Sequence, residues 1–167
     1  MSSKFDAGGK TAGGKEGNDS VPATIEVQNI RVDDEGKPRP LEDVLRLEID
    51  YTSDTALPSA KWNVKYMVDV VAKRYIVELG VQNNVDIRKG ANTFSFVLDA
   101  IDMSGVKRKH LINNAGLLTA SLSSEAGQQV IDVNLVIQVS KSSDGLIRHI
   151  LNPLRWNNND GAWSCTP

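Results

Sequence analysis

Leu45-Arg46-Leu47-Glu48-Ile49-Asp50-Tyr51 decides the fold. Apolar and charged residues alternate at every position, and in an extended chain successive side chains point to opposite faces. The stretch therefore predicts a strand with one dry and one wet face, the pattern of an antiparallel sheet covered on one side. A helix would scatter the same four apolar residues around its axis.

The same period recurs on both sides. Trp62, Val64 and Tyr66 alternate with Lys61, Asn63 and Lys65, and Phe94, Phe96 and Leu98 with Thr93, Ser95 and Val97. Ile25 and Val27 share one phase while Ile30 and Val32 share the other, which predicts a bulge near Gln28-Asn29. A strand is expected from Arg74 to Val81, ended by Asn83-Asn84, with Leu57-Pro58 as an earlier break. Leu118, Ala120 and Leu122 lead through a turn at 123–127 into Ile131, Val133, Leu135, Ile137 and Val139, which reads as a hairpin. Residues 99–114 form the longest irregular stretch. About seven strands with no helical crossover predict an all-β fold, an immunoglobulin-like antiparallel β-sandwich.

The ends differ in texture. Residues 1–22 are rich in glycine and small polar side chains, with too little apolar area to offset backbone entropy, and are expected to be a disordered arm. The sandwich is expected over 23–140. A C-terminal tail, partly ordered, follows over 141–167, with an apolar docking segment at 146–156 that packs on its own domain or on a partner. Trp156 and Trp163, two of the three tryptophans, belong to this tail.

Composition excludes several function classes. Hydrophobic residues make up 40% and charged residues 24% of the chain, a globular balance. A formal net charge of −2 gives no broad basic footprint, so nucleic acid is not the expected ligand. No apolar run is long enough to span a bilayer or to serve as a signal peptide, so the expected location is intracellular, in the nucleus or in a cilium or the cytoskeleton. The single cysteine, Cys165, cannot pair internally.

Catalytic patterns fail on inspection. Gly9-Lys10-Thr11-Ala12-Gly13-Gly14-Lys15-Glu16 matches a phosphate loop until its last position, where Glu16 replaces the magnesium-binding hydroxyl. His110 and His149 have no second ligand at zinc spacing. His110 follows Lys107-Arg108-Lys109 and is read as part of a solvated loop, and no serine sits in a nucleophile elbow. The expectation is a non-enzyme without cofactor or metal. Its candidate contacts with other proteins lie on the wet face of the last hairpin: Leu117, Thr119, Ser121, Val130, Asp132, Asn134 and Val136, together with Trp156 and Trp163 of the tail.

The order of elements resembles the anti-silencing-function histone chaperone family. Val27-Gln28-Asn29-Ile30-Arg31-Val32, Leu45-Arg46-Leu47-Glu48-Ile49, Ala60-Lys61-Trp62-Asn63-Val64-Lys65-Tyr66 and Gly90-Ala91-Asn92-Thr93-Phe94-Ser95-Phe96 are similar to its strands. Gly127-Gln128-Gln129-Val130-Ile131 is similar to its last hairpin, and Arg148-His149-Ile150-Leu151-Asn152-Pro153-Leu154-Arg155 to its C-terminal segment. The resemblance implies a sandwich that binds proteins, histones among them. The family binds histone through an acid after the third strand and an arginine in the final hairpin. Here the segment Val70-Val71-Ala72-Lys73-Arg74-Tyr75 holds no acid, and Asp132 stands in place of the arginine. A reversed charge at a contact excludes the old partner. The implied role is therefore a protein-interaction module of a larger eukaryotic assembly, with histone chaperone and axonemal or ciliary subunit as alternatives.

Overall fold

The computed structural model describes residues 23–32, 37–152 and 154. The glycine-rich arm, Trp156, Trp163 and Cys165 lie outside them. Among the described residues the expected sandwich is present, and every strand pairing is antiparallel.

The strands are β1 (Ile25–Val32), β2 (Arg39–Pro40), β3 (Leu45–Ser53), β4 (Leu57–Val70), β5 (Lys73–Ile87), β6 (Gly90–Leu98), β7 (Gly116–Ser123), β8 (Gln129–Ser142) and β9 (Gly145–Leu151). One short helix, α1 (Arg108–Ile112), lies between β6 and β7. A six-stranded sheet runs in the order β2-β9-β8-β7-β4-β5, and a three-stranded sheet in the order β1-β3-β6. The alternation in β3 is obeyed throughout: Leu45, Leu47, Ile49 and Tyr51 face the large sheet's Trp62, Val64, Tyr66, Leu118 and Leu135 in one core.

The predicted bulge falls between Val27 and Asn29, which lets Ile25, Val27, Ile30 and Val32 all pack inward despite the change of phase. Leu57-Pro58 and Asn83-Asn84 were expected to interrupt strands and do not. β4 starts at Leu57, and β5 runs through the two asparagines to Ile87. Their local irregularity is absorbed by bulges, where Ser59 and Asn84 take positive φ angles of 53° and 57°. A bulge costs one ladder position rather than the strand, and it turns the edge of β5 away from flat pairing.

The boundary expected near residue 140 is corrected by β9. β8 runs on to Ser142, and a two-residue turn returns the chain as β9, in register from Ser142–Gly145 to Val136–Leu151. Gly145, at φ +138°, closes a turn that an L side chain would strain. The apolar segment at 146–156 thus docks in cis as far as it is described, as a sheet strand between β8 and β2, and Leu154 packs against the core. Asn152 Nδ2 donates to the carbonyl of Ile30 at 2.7 Å and ties the end of β9 to the small sheet.

Residues 99–114 are irregular, as expected, yet they close one end of the sandwich by burying Ile101, Met103, Val106 and Leu111. His110 is a correction. It sits in α1, half-buried, its ring 5.2 Å from that of Tyr75, and its Nδ1 is buried without a partner among the described residues.

Close packing at the start of β7 gives one prediction. A Cβ on Gly116 would lie 2.8 Å from Cζ and Oη of the fully buried Tyr66, whose phenol burial pushes up to about 12. Neither group has room to give, so Gly116→Ala is expected to cost about 1–3 kcal/mol and lower Tm by about 3–9 °C. Gly105→Ala, where a Cβ meets nothing within 4 Å, is expected to leave the melting curve unchanged.

Candidate functional site

The register of the large sheet brings together residues scattered through the sequence. Leu151 of β9 lies opposite Val136 of β8, Val136 opposite Leu117 of β7, Leu117 opposite Met67 of β4, and Met67 opposite Ile76 of β5. All five belong to the outer, solvent-facing phase of their strands, since each alternates with inward neighbours such as Ile150, Leu135, Leu118 and Tyr66. With neighbouring strands about 4.8 Å apart, the result is an aliphatic row about 19 Å long at right angles to the strands. Ile76 is 50% exposed, and Leu117 and Val136 are 36% exposed.

Polar rows bound it on both sides. Asn134, Thr119, Lys65 and Glu78 form one, paired strand by strand. On the other side His149 faces Gln138, and Asp69 faces Arg74 at the tip of the β4–β5 hairpin. Arg74 Nε donates to Asp69 Oδ1 at 2.6 Å and holds the Asp69 carboxyl below its ordinary range. An apolar row rimmed by polar groups is the surface pattern of a contact site.

The small sheet's outer face differs. Arg31 donates to Glu48 at 2.9 Å and to both oxygens of Asp50, while Thr93 donates to Asp50 at 2.8 Å. Those hydrogen bonds, from Arg31 first and then Thr93, hold the Asp50 carboxyl below its ordinary range. Polar groups there satisfy one another.

Of the residues singled out in the sequence, Leu117 and Val136 lie in the row. Ser121 and Asp132 face each other two positions away along the strands, and Gln129 Nε2 donates to Asp132 at 2.8 Å. Asn134 is exposed, but Thr119 is only 2% exposed and donates its hydroxyl to Asn134 Oδ1 at 2.7 Å, so its polar atom is already engaged. Val130 is a correction. The register shift between Gln129 and Ile131 turns it toward the core, where it packs half-buried. Trp156 and Trp163 lie outside the described residues. Met67, Ile76 and Leu151 were missed in the sequence; only knowledge of which strands neighbour one another aligns them.

Among the described residues, no three His, Cys, Asp or Glu side chains are grouped to hold a metal ion. His149 opens on a cleft with Ser140, Gln138 and Asn113, and no described carboxylate lines it. Among the described residues, no helix is long and apolar enough to cross a membrane.

No protein-family model matches the chain, and no curated protein matches it. Solved structures give faint likenesses. A β-glucosidase from Kluyveromyces marxianus in complex with glucose aligns with 78% of this chain at 13% identity and a TM-score of 0.39. A Bacteroides uniformis β-glucuronidase aligns with 78% at 10% identity and a TM-score of 0.32. The chain spans 15% of the length of each of these enzymes. A target of the Northeast Structural Genomics Consortium aligns with 79% of this chain and 88% of its own at 15% identity and a TM-score of 0.28. Values this low carry no functional argument.

Proposed function

We propose that this chain is a non-catalytic protein-interaction domain, and that it receives an extended apolar segment of a partner protein across the outer face of its six-stranded sheet. The observation that supports this reading is the aliphatic row Leu151-Val136-Leu117-Met67-Ile76. Its size favours a segment over a globular surface. Side chains on one face repeat about every 7 Å along a strand, so the row covers on the order of 130 Å², far below the ~800 Å² per partner of a stable globular interface.

Core histones are the partner class implied by the resemblance, and axonemal proteins are the alternative. Asp132, exposed on the same face two positions along β8 from the row, opposes the histone contact that an arginine would make. A photo-crosslinking residue placed at Val136, and separately at Thr93 on the small sheet, tests the reading. The expected result is a discrete adduct from position 136 that Leu117→Glu abolishes, and none from position 93. The protein identified by mass spectrometry should then rebind in purified form. Equal adducts from both faces would overturn the assignment. Core histones recovered at position 136 would select the nuclear role, and axonemal proteins the ciliary one.

A further inference from the structure

We infer that two copies of this chain pair edge to edge through residues 74–78 of β5, antiparallel, about a two-fold axis at Ile76. The inference goes beyond the reading of the outer row and does not depend on it.

A bare strand edge recruits other strands, and the described sheets treat their edges unequally. At the β1 edge both free groups of Ile30 are engaged: its N–H donates to Asn29 Oδ1 at 3.0 Å, and its carbonyl accepts from Asn152 Nδ2 at 2.7 Å. At the β6 edge the carbonyl of Ser95 accepts from Gln82 Nε2 at 2.7 Å. β2, at one edge of the large sheet, is two residues long. β5 is the opposite edge, and among the described residues no strand lies beyond it. The bulges that bend this edge lie beyond Glu78, so from Lys73 to Glu78 the ladder with β4 is regular.

The register fixes which backbone groups that edge presents. Two residues join Val70 to Lys73, and the pair flanking a two-residue turn exchanges both of its hydrogen bonds. Bonded and open pairs alternate from there. Lys73, Tyr75 and Val77 therefore bond to β4, while Arg74, Ile76 and Glu78 turn their N–H and C=O groups outward. A second β5 running antiparallel meets these groups in kind, with two backbone hydrogen bonds to each pair of residues.

The side chains favour one register. With Ile76 opposite Ile76 of the partner subunit, Arg74 lies opposite Glu78 of the partner subunit, and the two-fold axis makes that ion pair twice. All three residues are exposed on the outer face, and Arg74 remains 59% exposed although it bonds to Asp69. On the inner face Tyr75 comes opposite Val77 of the partner subunit, an aromatic and a β-branched side chain that are each half-buried in the single chain. Sliding one strand by two residues sets each Ile76 against a charge or strips it of its apolar neighbour. Sliding it by four sets Arg74 against Arg74 or Glu78 against Glu78, and like charges directly opposite are destabilising. Ile76 also ends the outer row, so in the pair the two rows meet at the axis and run on as one, about 43 Å long.

Such an edge supplies hydrogen bonds rather than area, which places the pair among the weak interfaces. Sedimentation velocity of the full chain should show its mass doubling over a range of roughly 10 µM to 1 mM. Glu78→Arg leaves arginines facing each other, and Arg74→Glu leaves glutamates. Each variant alone is expected to stay monomeric with its melting curve little changed, since both positions are on the surface. An equimolar mixture of the two restores both ion pairs and should dimerise. Ile76→Pro, which removes an outward N–H and no bond to β4, should abolish the dimer. A wild-type chain that stays monomeric throughout would overturn the proposal. So would a dimer that persists in either charge variant, or one that their mixture does not regain. Crosslinking at Val136 reports on the outer row alone, so a dimer without an adduct there removes that reading and leaves this one standing.

Discussion

Replacing Arg148 with methionine is expected to destabilise the domain by about 3–5 kcal/mol, a fall in Tm of about 10 °C or more. The side chain is 0% exposed, yet it points into the sandwich from β9. Its guanidinium donates through one nitrogen to the carbonyls of Leu41 at 2.8 Å and Asp43 at 2.9 Å, and through the other to that of Val44 at 2.8 Å. The turn between β2 and β3 therefore curls its carbonyls around a cation, which takes the place of the water a loop ordinarily keeps. Methionine fills much of the volume but leaves buried acceptors without donors, and each such acceptor costs about 1–3 kcal/mol. Lysine keeps the charge but places one ammonium where two nitrogens of a planar fork are needed, so it is expected to recover only part of the loss. Urea unfolding of the three proteins measures both steps. A methionine variant within about 1 kcal/mol of wild type would mean that the turn finds its hydrogen bonds elsewhere.

Trp62→Ala is expected to cost about 3–5 kcal/mol. Trp62 is 1% exposed and lies at the centre of the contact between the sheets. Its ring stacks on Phe94 of the small sheet, with centroids 4.4 Å apart and planes 15° apart, and meets the edge of Tyr51 at 5.6 Å. Alanine removes the side chain that couples β4 to both β3 and β6, and rigid strands on either side cannot close the space. Trp62→Phe keeps a stacking ring and is expected to recover more than half of the loss. A denaturation midpoint that falls with an unchanged m-value would place the effect in the folded core. A loss below about 1 kcal/mol would show that the sheets settle together around the gap.

Much of the fold was legible because burial imposes a period. β3 and β4 alternate without exception where both sheets cover them, and the bulge in β1 announced itself as a change of phase at Gln28-Asn29. β9 was hidden by its own key residue. Its inward positions are Leu146, Arg148 and Ile150, so a cation stands where the pattern demands an apolar side chain, and the strand reads as a cluster of apolar pairs rather than an alternation. Asp144-Gly145 carried the hairpin signal that could have corrected it. The surface row was half legible. Leu117 and Val136 betrayed themselves as apolar residues on a wet face. Ile76, Met67 and Leu151 joined them only through a register that pairs segments far apart in the chain. The misplacement of Val130 has the same origin, since one bulge exchanges the faces of every residue on one side of it.

The bonds from Arg148 to residues 41–44 span 104 to 107 positions, and that from Asn152 to Ile30 spans 122. These contacts join nearly the first described strand to the last. On the ribosome, the turn after β2 must wait with its carbonyls open to water until almost the whole domain has been made. The long β4–β5 hairpin, joined by two residues, can zip as soon as it emerges. Synthesis at about 5–20 residues per second makes that wait about 5–20 s. The domain is thus sealed by its last strand, and a chain halted before Arg148 leaves its opening residues without the cation they fold around.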